Sequence, residues 1–101
     1  MQESVLKETR PVLQILVPTF NRSAAAQEAI ENVLACNDER LTVWCNSNCY
    51  DSALEKYRNL SSRVKYDSFE IDRGLKGNLY KLLSESSAKF CMILSDEDRI
   101  N

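Results

Sequence analysis

The order of its apolar segments is the feature of this 101-residue chain that most restricts its fold. Three times a short strand-like run is followed by a stretch with helical spacing, and a fourth strand-like run closes the series. Strands that alternate with helices form βαβ units, whose right-handed crossovers bring the strands into one parallel sheet. The sequence therefore predicts an α/β fold, a three-layer open and mostly parallel sheet with helices on both faces.

Residue type and spacing bound the predicted elements. In order, they are a strand at 12–17, a helix at 24–35 capped by Asn21 or Ser23, a strand at 41–45, a helix opened by a capping box at Ser52 and Glu55, a strand at 64–71, a helix from about 78 to 88 behind a turn containing Gly74 and Gly77, and a strand at 90–94. A slip of phase near the end of the 64–71 run indicates a bulge or an edge strand. Residues predicted to face the core include Trp44, Cys45, Leu60, Leu79, Leu82, Leu83, Cys91 and Met92.

Charge and hydropathy exclude several classes of protein. The net charge is -2 and there is no basic stripe, which argues against nucleic-acid binding by charge. No apolar run reaches the length needed to cross a bilayer, and residues 1–10 lack the apolar core of a signal peptide. We expect a cytoplasmic protein in which a flexible arm, 1–10, precedes one domain, 11–101.

The four cysteines, Cys36, Cys45, Cys49 and Cys91, do not predict a metal site. Their spacing matches no zinc signature, and the chain has no histidine to complete one. Without a secretion signal a disulfide framework is not expected either. The absence of histidine leaves any acid–base chemistry to carboxylates.

Two polar turns follow apolar strands and carry most of the chemistry. Pro18-Thr19-Phe20-Asn21-Arg22 follows the first strand, and Ser95-Asp96-Glu97-Asp98 follows the fourth. Ligands of open α/β sheets bind outside the carboxyl ends of the strands, where the strand order reverses. If the order is 3-2-1-4, the reversal falls between the first and fourth strands, and the two turns form one site.

Each polar group has a functional and a purely structural interpretation. The carboxylates of Asp96, Glu97 and Asp98 suit Mg²⁺ or Mn²⁺, although acidic runs also simply face water. Phe20 and Arg22 could stack on a base and supply a cation, or belong to an ordinary strand-to-helix turn.

Further polar residues lie in two later segments, 46–48 and 73–78. Asn46-Ser47-Asn48 could bond a base edge or form a plain turn. Arg73, Lys76 and Asn78 could meet a diphosphate near a helix N-terminus. The chain lacks the glycine-rich motif of dinucleotide enzymes and the P-loop of ATPases.

These residues together resemble a known family. The stretch 15–22, followed by a helix ending at 29–34, resembles the opening of family 2 glycosyltransferases of the GT-A fold. Gly77-Asn78-Leu79 resembles the helix start before the family's acidic motif, and 94–98 resembles its DXD-type motif. The resemblance spans about residues 12–100 and covers the Rossmann-like, nucleotide-sugar-binding half of the family's catalytic domain.

The resemblance implies a UDP-sugar or a related nucleoside-diphosphate sugar, a divalent metal (Mn²⁺ or Mg²⁺), and transfer to a saccharide or similar acceptor, as in polysaccharide biosynthesis. The residues it implies for the nucleotide sugar are Pro18, Thr19, Phe20, Arg22, Asn46, Arg73, Lys76, Asn78 and Asp96; those for the metal are Asp96, Glu97 and Asp98. Phe20 matches the aromatic that stacks on the base. Asn46 stands where the family usually has a base-reading aspartate. Asp96 and Asp98 have the DXD spacing, whereas Glu97 has the register of the usual metal ligand.

The family's acceptor-binding half and catalytic base lie after the acidic motif. We therefore expect these 101 residues to bind the donor without transferring the sugar, with no catalytic residue of their own. The alternative is a non-catalytic α/β nucleotide-binding or assembly module derived from such a fold. A response-regulator-like domain would need an acidic pair after the first strand, where Asn21 and Arg22 stand. The apolar run 90–94 would form an uncovered sheet edge, which predicts a homodimer.

Overall fold

Four parallel strands form the sheet of the computed structural model, which describes residues 12–94. The elements are β1 (Leu13–Thr19), α1 (Ser23–Ala35), β2 (Leu41–Ser47), a 3₁₀ helix (Ser52–Tyr57), β3 (Val64–Ser68), α2 (Gly74–Glu85) and β4 (Phe90–Ile93). The strands lie in the order β3-β2-β1-β4, and all three pairings are parallel. This confirms the predicted α/β class and strand order. The predicted arm, 1–10, and the acidic turn, 95–98, lie outside the described residues.

Alternation along β1 divides the core into two layers, because successive side chains of a strand point to opposite faces. Ile15 and Val17 pack with α1 in the larger apolar cluster. Leu16 packs with Trp44 and Leu82 of α2 on the other face. Helices therefore cover both faces of the sheet, as predicted, and Trp44 is a core residue with 1% of its surface exposed.

The fourth strand differs from its prediction as a buried element. Phe90, Cys91, Met92 and Ile93 are all exposed, so the predicted burial of Cys91 and Met92 is wrong. β4 lies at one edge of the described sheet, with β1 as its neighbour, and α2 packs over β1 and β2. An apolar strand in this position keeps both faces accessible.

The second long helix begins earlier than predicted. α2 starts at Gly74 and contains Gly77, so the two glycines do not form a turn before residue 78. Leu82 is buried and Leu79 half-buried, but Leu83 is 51% exposed, because the buried face of α2 is narrow. The helix ends at Glu85 rather than Ala88.

Other boundaries also differ from prediction. β1 continues through Pro18 to Thr19 and β2 through Asn46 to Ser47, so these residues belong to strands and not to turns. The segment after β2 is a 3₁₀ helix capped by Asp51, whose side chain accepts a hydrogen bond from the N–H of Ala53; Ser52 is not the cap. Leu60 lies outside this helix and is 55% exposed. β3 ends at Ser68, and its position at a sheet edge agrees with one of the two alternatives predicted from its phase slip.

Arg63 connects the end of α1 to the sheet. Its guanidinium group donates to the carbonyl oxygens of Val33, Leu34 and Cys36 at 3.1, 3.3 and 2.7 Å, and to that of Leu41 at 3.1 Å. The last carbonyls of a helix have no partner within the helix and carry its negative dipole end. One side chain therefore caps α1 and fixes it to the start of β2.

Candidate functional site

A cleft of about 540 Å³ lies at the carboxyl end of β1, beside α2 and β4. Its walls are Pro18, Thr19, Phe20, Arg22, Asn48, Asp72, Gly74, Leu75, Asn78, Leu79 and Ile93. This is the position between the first and fourth strands where the strand order reverses, and where open α/β sheets bind their ligands. The walls are largely apolar, with a few polar groups, as in most small-molecule sites.

The turn after β1 supplies one wall. Pro18 and Thr19 are buried at the strand end, and Phe20 is 43% exposed at the cleft. Asn21 then adopts a positive φ of 55°, a conformation that asparagine tolerates, and this turns the chain into α1. The cap position of α1 is Arg22, without a side-chain cap bond, so the predicted capping by Asn21 or Ser23 is wrong.

Two fully buried asparagines lie where the strand ends meet α2. The side chain of Asn46 donates to Oδ1 of Asn78 at 3.0 Å. Asn78 donates in turn to the backbone carbonyls of Asn46, at 2.8 Å, and of Thr19, at 3.5 Å. Asn78 lines the cleft, whereas Asn46 lies behind it with no exposed surface.

The hydrogen bonds of Asn78 fix which way the amide of Asn46 points. Asn78 uses its Nδ2 to donate to backbone carbonyls, so its Oδ1 faces Asn46. If the amide of Asn46 were rotated by 180°, its Oδ1 would face Oδ1 of Asn78, so Nδ2 of Asn46 must be the atom that faces Asn78. Among residues 12–94, Oδ1 of Asn46 is buried and has no hydrogen-bond partner. A buried acceptor without a donor costs about 1–3 kcal/mol, which makes this oxygen a site where a donor would be stabilising.

Asn48 and Asp72 build the start of α2 and also line the cleft. Asn48 accepts from the N–H of Arg73 at 3.1 Å and donates to the carbonyl of Gly74 at 3.2 Å. Asp72 accepts from the N–H of Gly74 at 2.8 Å. Gly74 has a φ of 73°, which disfavours residues with a side chain. Asp72 was absent from the predicted site, although an Asx residue two positions before a helical glycine is a recognisable start signal.

The predicted cations of α2 lie away from the cleft walls. The guanidinium group of Arg73 lies 4.7 Å from the ring centre of Phe69, and Nζ of Lys81 lies 5.2 Å from the same ring. The cation–π contact holds the Arg73 side chain against Phe69, the residue that follows β3. Lys76 is exposed one turn further along α2. The structure thus brings together Pro18, Thr19, Phe20, Arg22 and Asn78 of the predicted set.

The predicted metal ligands Asp96, Glu97 and Asp98 lie outside the described residues. Within 12–94, no group of three or more histidine, cysteine, aspartate or glutamate side chains could hold a metal ion. The carboxyl end of β4 is at the same edge of the sheet as the cleft, because Ile93 pairs in parallel with Leu16 and also lines the cleft. A chain leaving β4 therefore starts beside the cleft, and the carboxylate donor set that follows fits a hard divalent cation.

A protein-family model matches most of the chain. No curated protein matched this chain. The model of the family described as "Glycosyl transferase family 2" matches residues 14–101. The match includes every cleft residue and nearly all of the described sheet. In the described part of the chain, no helix has the length and apolar character required to span a membrane. The chain belongs to glycosyl transferase family 2, as the resemblance of its sequence motifs implied.

Proposed function

We propose that this chain forms the donor site of a glycosyltransferase that takes a UDP-sugar, together with Mn²⁺ or Mg²⁺, for transfer to a saccharide or similar acceptor. The observation that carries the proposal is the placement of Phe20. A half-exposed aromatic side chain lies in a 540 Å³ cleft at the β1–β4 switch point, inside the range that the family model matches. An aromatic ring in such a position can stack on a nucleobase, a contact worth about 1–3 kcal/mol.

In this proposal the base lies against Phe20, with Pro18 and Thr19 beneath it and Asn78 at its edge. The open acceptor of Asn46 favours a base that presents an N–H. Uracil does so at N3 and guanine at N1, whereas cytosine and adenine present N–H groups on their exocyclic amino groups. Because Asn46 lies behind Thr19 and Asn78, the base edge must enter between these two residues to reach it. The open acceptor suits uridine, the nucleoside that the family resemblance implies, and a guanine ring N–H would suit it equally.

The diphosphate is proposed to lie toward the acidic segment that follows β4. Asp96, Glu97 and Asp98 would hold the metal, which when bound neutralises charge on the leaving diphosphate. Arg22 lines the cleft and adds positive charge on the side of β1. Arg73 and Lys76, at the start of α2, contribute a longer-range positive field, since neither lines the cleft.

Isothermal titration calorimetry tests this proposal. UDP should bind the chain in the presence of Mn²⁺ and far more weakly in its absence. Triple substitution of Asp96, Glu97 and Asp98 by alanine should abolish the metal dependence. The matched control replaces three exposed glutamates that do not line the cleft, Glu39, Glu70 and Glu85, and should bind as the wild type does.

Three outcomes of the titration are distinguishable. Failure of UDP to bind in any buffer would contradict the donor-site proposal. UDP binding that is equally strong without Mn²⁺, or that is unchanged by the triple substitution at the acidic segment, would contradict a metal held between this segment and the diphosphate. It would favour a non-catalytic nucleotide-binding module. Undiminished binding of UDP methylated at N3 of uracil would contradict the role proposed for Asn46.

We also propose that two chains pair through β4 about a two-fold axis. The N–H groups of Phe90 and Leu94 donate to β1, at 2.9 Å each, so those of Cys91 and Ile93 point outward along the edge. The strand carries no charge, and Phe90 and Met92 are 63% and 43% exposed on one face. Edge strands without charges recruit other strands, and antiparallel pairing with a second copy closes both edges at once.

Light scattering coupled to size exclusion tests this pairing across a concentration series. Met92→Lys should shift the chain to monomers by placing a charge at the edge. Leu60→Lys, at an equally exposed apolar residue away from the edge, should leave the dimer intact. A wild-type chain that stays monomeric at every concentration would contradict the proposal.

A further inference from the structure

Asp72 places a carboxylate in the wall of the cleft, at the start of α2. Its Oδ1 accepts from the N–H of Gly74, and the residue is exposed to the cleft that Phe20 and Arg22 also line. Asp72 is the only acidic residue among the described cleft walls. Neither strand order nor the family resemblance assigns it a role.

A carboxylate at this position changes which part of a nucleotide can lie there. The free N–H groups at a helix N-terminus ordinarily attract phosphate. Here the N–H of Gly74 is already bonded to Asp72, whose negative charge repels a diphosphate placed against the same turn. The start of α2 therefore favours a neutral part of the ligand that donates hydrogen bonds.

The ribose of a nucleotide is such a part. An ionised carboxylate accepts through about four lone-pair sites, and the bond from Gly74 occupies one of them. The ribose hydroxyls are neutral donors, and the ribose is joined directly to the base that Phe20 is proposed to stack. An acidic side chain on the ribose 2′-hydroxyl is also how other doubly wound α/β sheets bind nucleotides at the same edge of the sheet.

We propose that Asp72 accepts hydrogen bonds from the ribose hydroxyls and makes the cleft selective for ribonucleotides over 2′-deoxyribonucleotides. The inference rests on the proposed function, because it requires a nucleotide stacked at Phe20. It assigns the ribose to the start of α2 and leaves the diphosphate to Arg22 and the acidic segment after β4.

Affinities of UDP and 2′-deoxy-UDP test the inference, measured by calorimetry with Mn²⁺ on the full chain. The wild type should prefer UDP by about tenfold, the effect of one hydrogen bond to a charged group. Asp72→Ser should reduce this preference to less than about threefold. Serine keeps a hydroxyl that can form the same turn with the N–H of Gly74, so the start of α2 is preserved.

Asp51→Ser is the matched control. Asp51 also accepts from an N–H two residues ahead, that of Ala53, but it does not line the cleft. This variant should keep the wild-type preference for UDP. If the wild type binds UDP and 2′-deoxy-UDP equally, or if Asp72→Ser discriminates as the wild type does, the role of Asp72 is refuted while the donor-site proposal stands. If UDP does not bind the wild type, the donor-site proposal fails first.

Discussion

The amide groups of Asn46 and Asn78 bond to each other between the sheet and α2, with 3.0 Å between Nδ2 of Asn46 and Oδ1 of Asn78. Asn78 returns a hydrogen bond to the backbone carbonyl of Asn46 at 2.8 Å. Both residues are fully buried, so neither amide can exchange this partner for water. The pair fixes the wall of the cleft to the end of β2.

Asn78→Ala should destabilise the fold by about 1–3 kcal/mol, because it leaves buried groups of Asn46 without a partner. The double variant with Asn46→Ala should cost less than the sum of the single variants, with a coupling of about 0.5–3 kcal/mol. Urea unfolding followed by circular dichroism measures both quantities. Asn37→Ala, at an exposed turn, is the control and should change little. Strict additivity would show that the two amides act independently.

Phe20→Ala should weaken UDP binding by about tenfold or more, since a base loses its stacking surface. Phe20→Trp should retain binding. Stability should change little, because nearly half of the Phe20 side chain is exposed. Tyr50→Ala removes a comparably exposed aromatic outside the cleft and serves as the control. Calorimetry and thermal melting report the two effects separately; a loss of UDP affinity that only tracks a loss of stability would argue against stacking.

Arg63→Ala should destabilise the chain by about 2–4 kcal/mol, since it removes a charged donor shared by four carbonyl groups. The carbonyls of Val33 and Cys36 keep the backbone N–H groups of Cys36 and Asp38 as donors. Arg63→Lys should recover only part of this loss, because a single ammonium group cannot reach carbonyls on several sides as the planar guanidinium does. Arg40→Ala removes an exposed arginine paired with Asp38 and should change stability by less than about 1 kcal/mol. Denaturant titration compares the three variants. Full recovery with lysine would mean that charge alone explains the effect.

The pKa of Tyr57 is raised above its ordinary value of 10.0. The main cause is burial of the phenol, and the second is its hydrogen bond to Glu31. A raised folded-state pKa stabilises the fold while the phenol is neutral, below about pH 10, and this contribution is lost as the pH rises through the folded-state pKa. Tyr57→Phe removes the bond to Glu31, 2.6 Å long, and should cost about 1 kcal/mol at neutral pH.

The stability of Tyr57→Phe should then respond less to alkali than that of the wild type. Unfolding free energies measured from pH 7 to 11.5 should show the gap between the two proteins narrowing above pH 10. Tyr80→Phe, at a side chain that is 75% exposed, should follow the wild type throughout. If the difference in unfolding free energy between the two proteins stays constant with pH, the effect of Tyr57 comes from packing alone.

The central strands could be predicted from sequence because their signals are local. β1 and β2 each begin with an apolar run, and α1 between them has regular helical spacing. The start of α2 was predicted too late, because the local signal of Asp72 was missed and because Asn48 fixes this start through bonds to Arg73 and Gly74 from a distant part of the chain. Glycine alone indicates a turn as readily as a helix start.

The sequence also predicted part of the candidate site. Pro18 and Thr19 end the buried strand β1 and Phe20 follows it directly, so strand order was enough to place them at the switch point. The burial of Asn46 depends on its bond with Asn78, and a pairing between distant asparagines leaves no periodic signal in the sequence. The apolar composition of β4 predicted burial, which was wrong, whereas the strand order predicted an uncovered edge, and in the described sheet β4 is exposed at that edge.

The pairing of Leu13 with Phe90 joins the first described strand to the last. Chains are synthesised from the N-terminus and form distant contacts late, because the loop between the partners must close first. On the ribosome, β1 can therefore pair with β2 well before β4 exists, and the cleft beside β4 forms only at the end. A nucleotide that binds this cleft cannot assist the early steps of folding; it can only shift the last step, the docking of β4, toward the finished sheet.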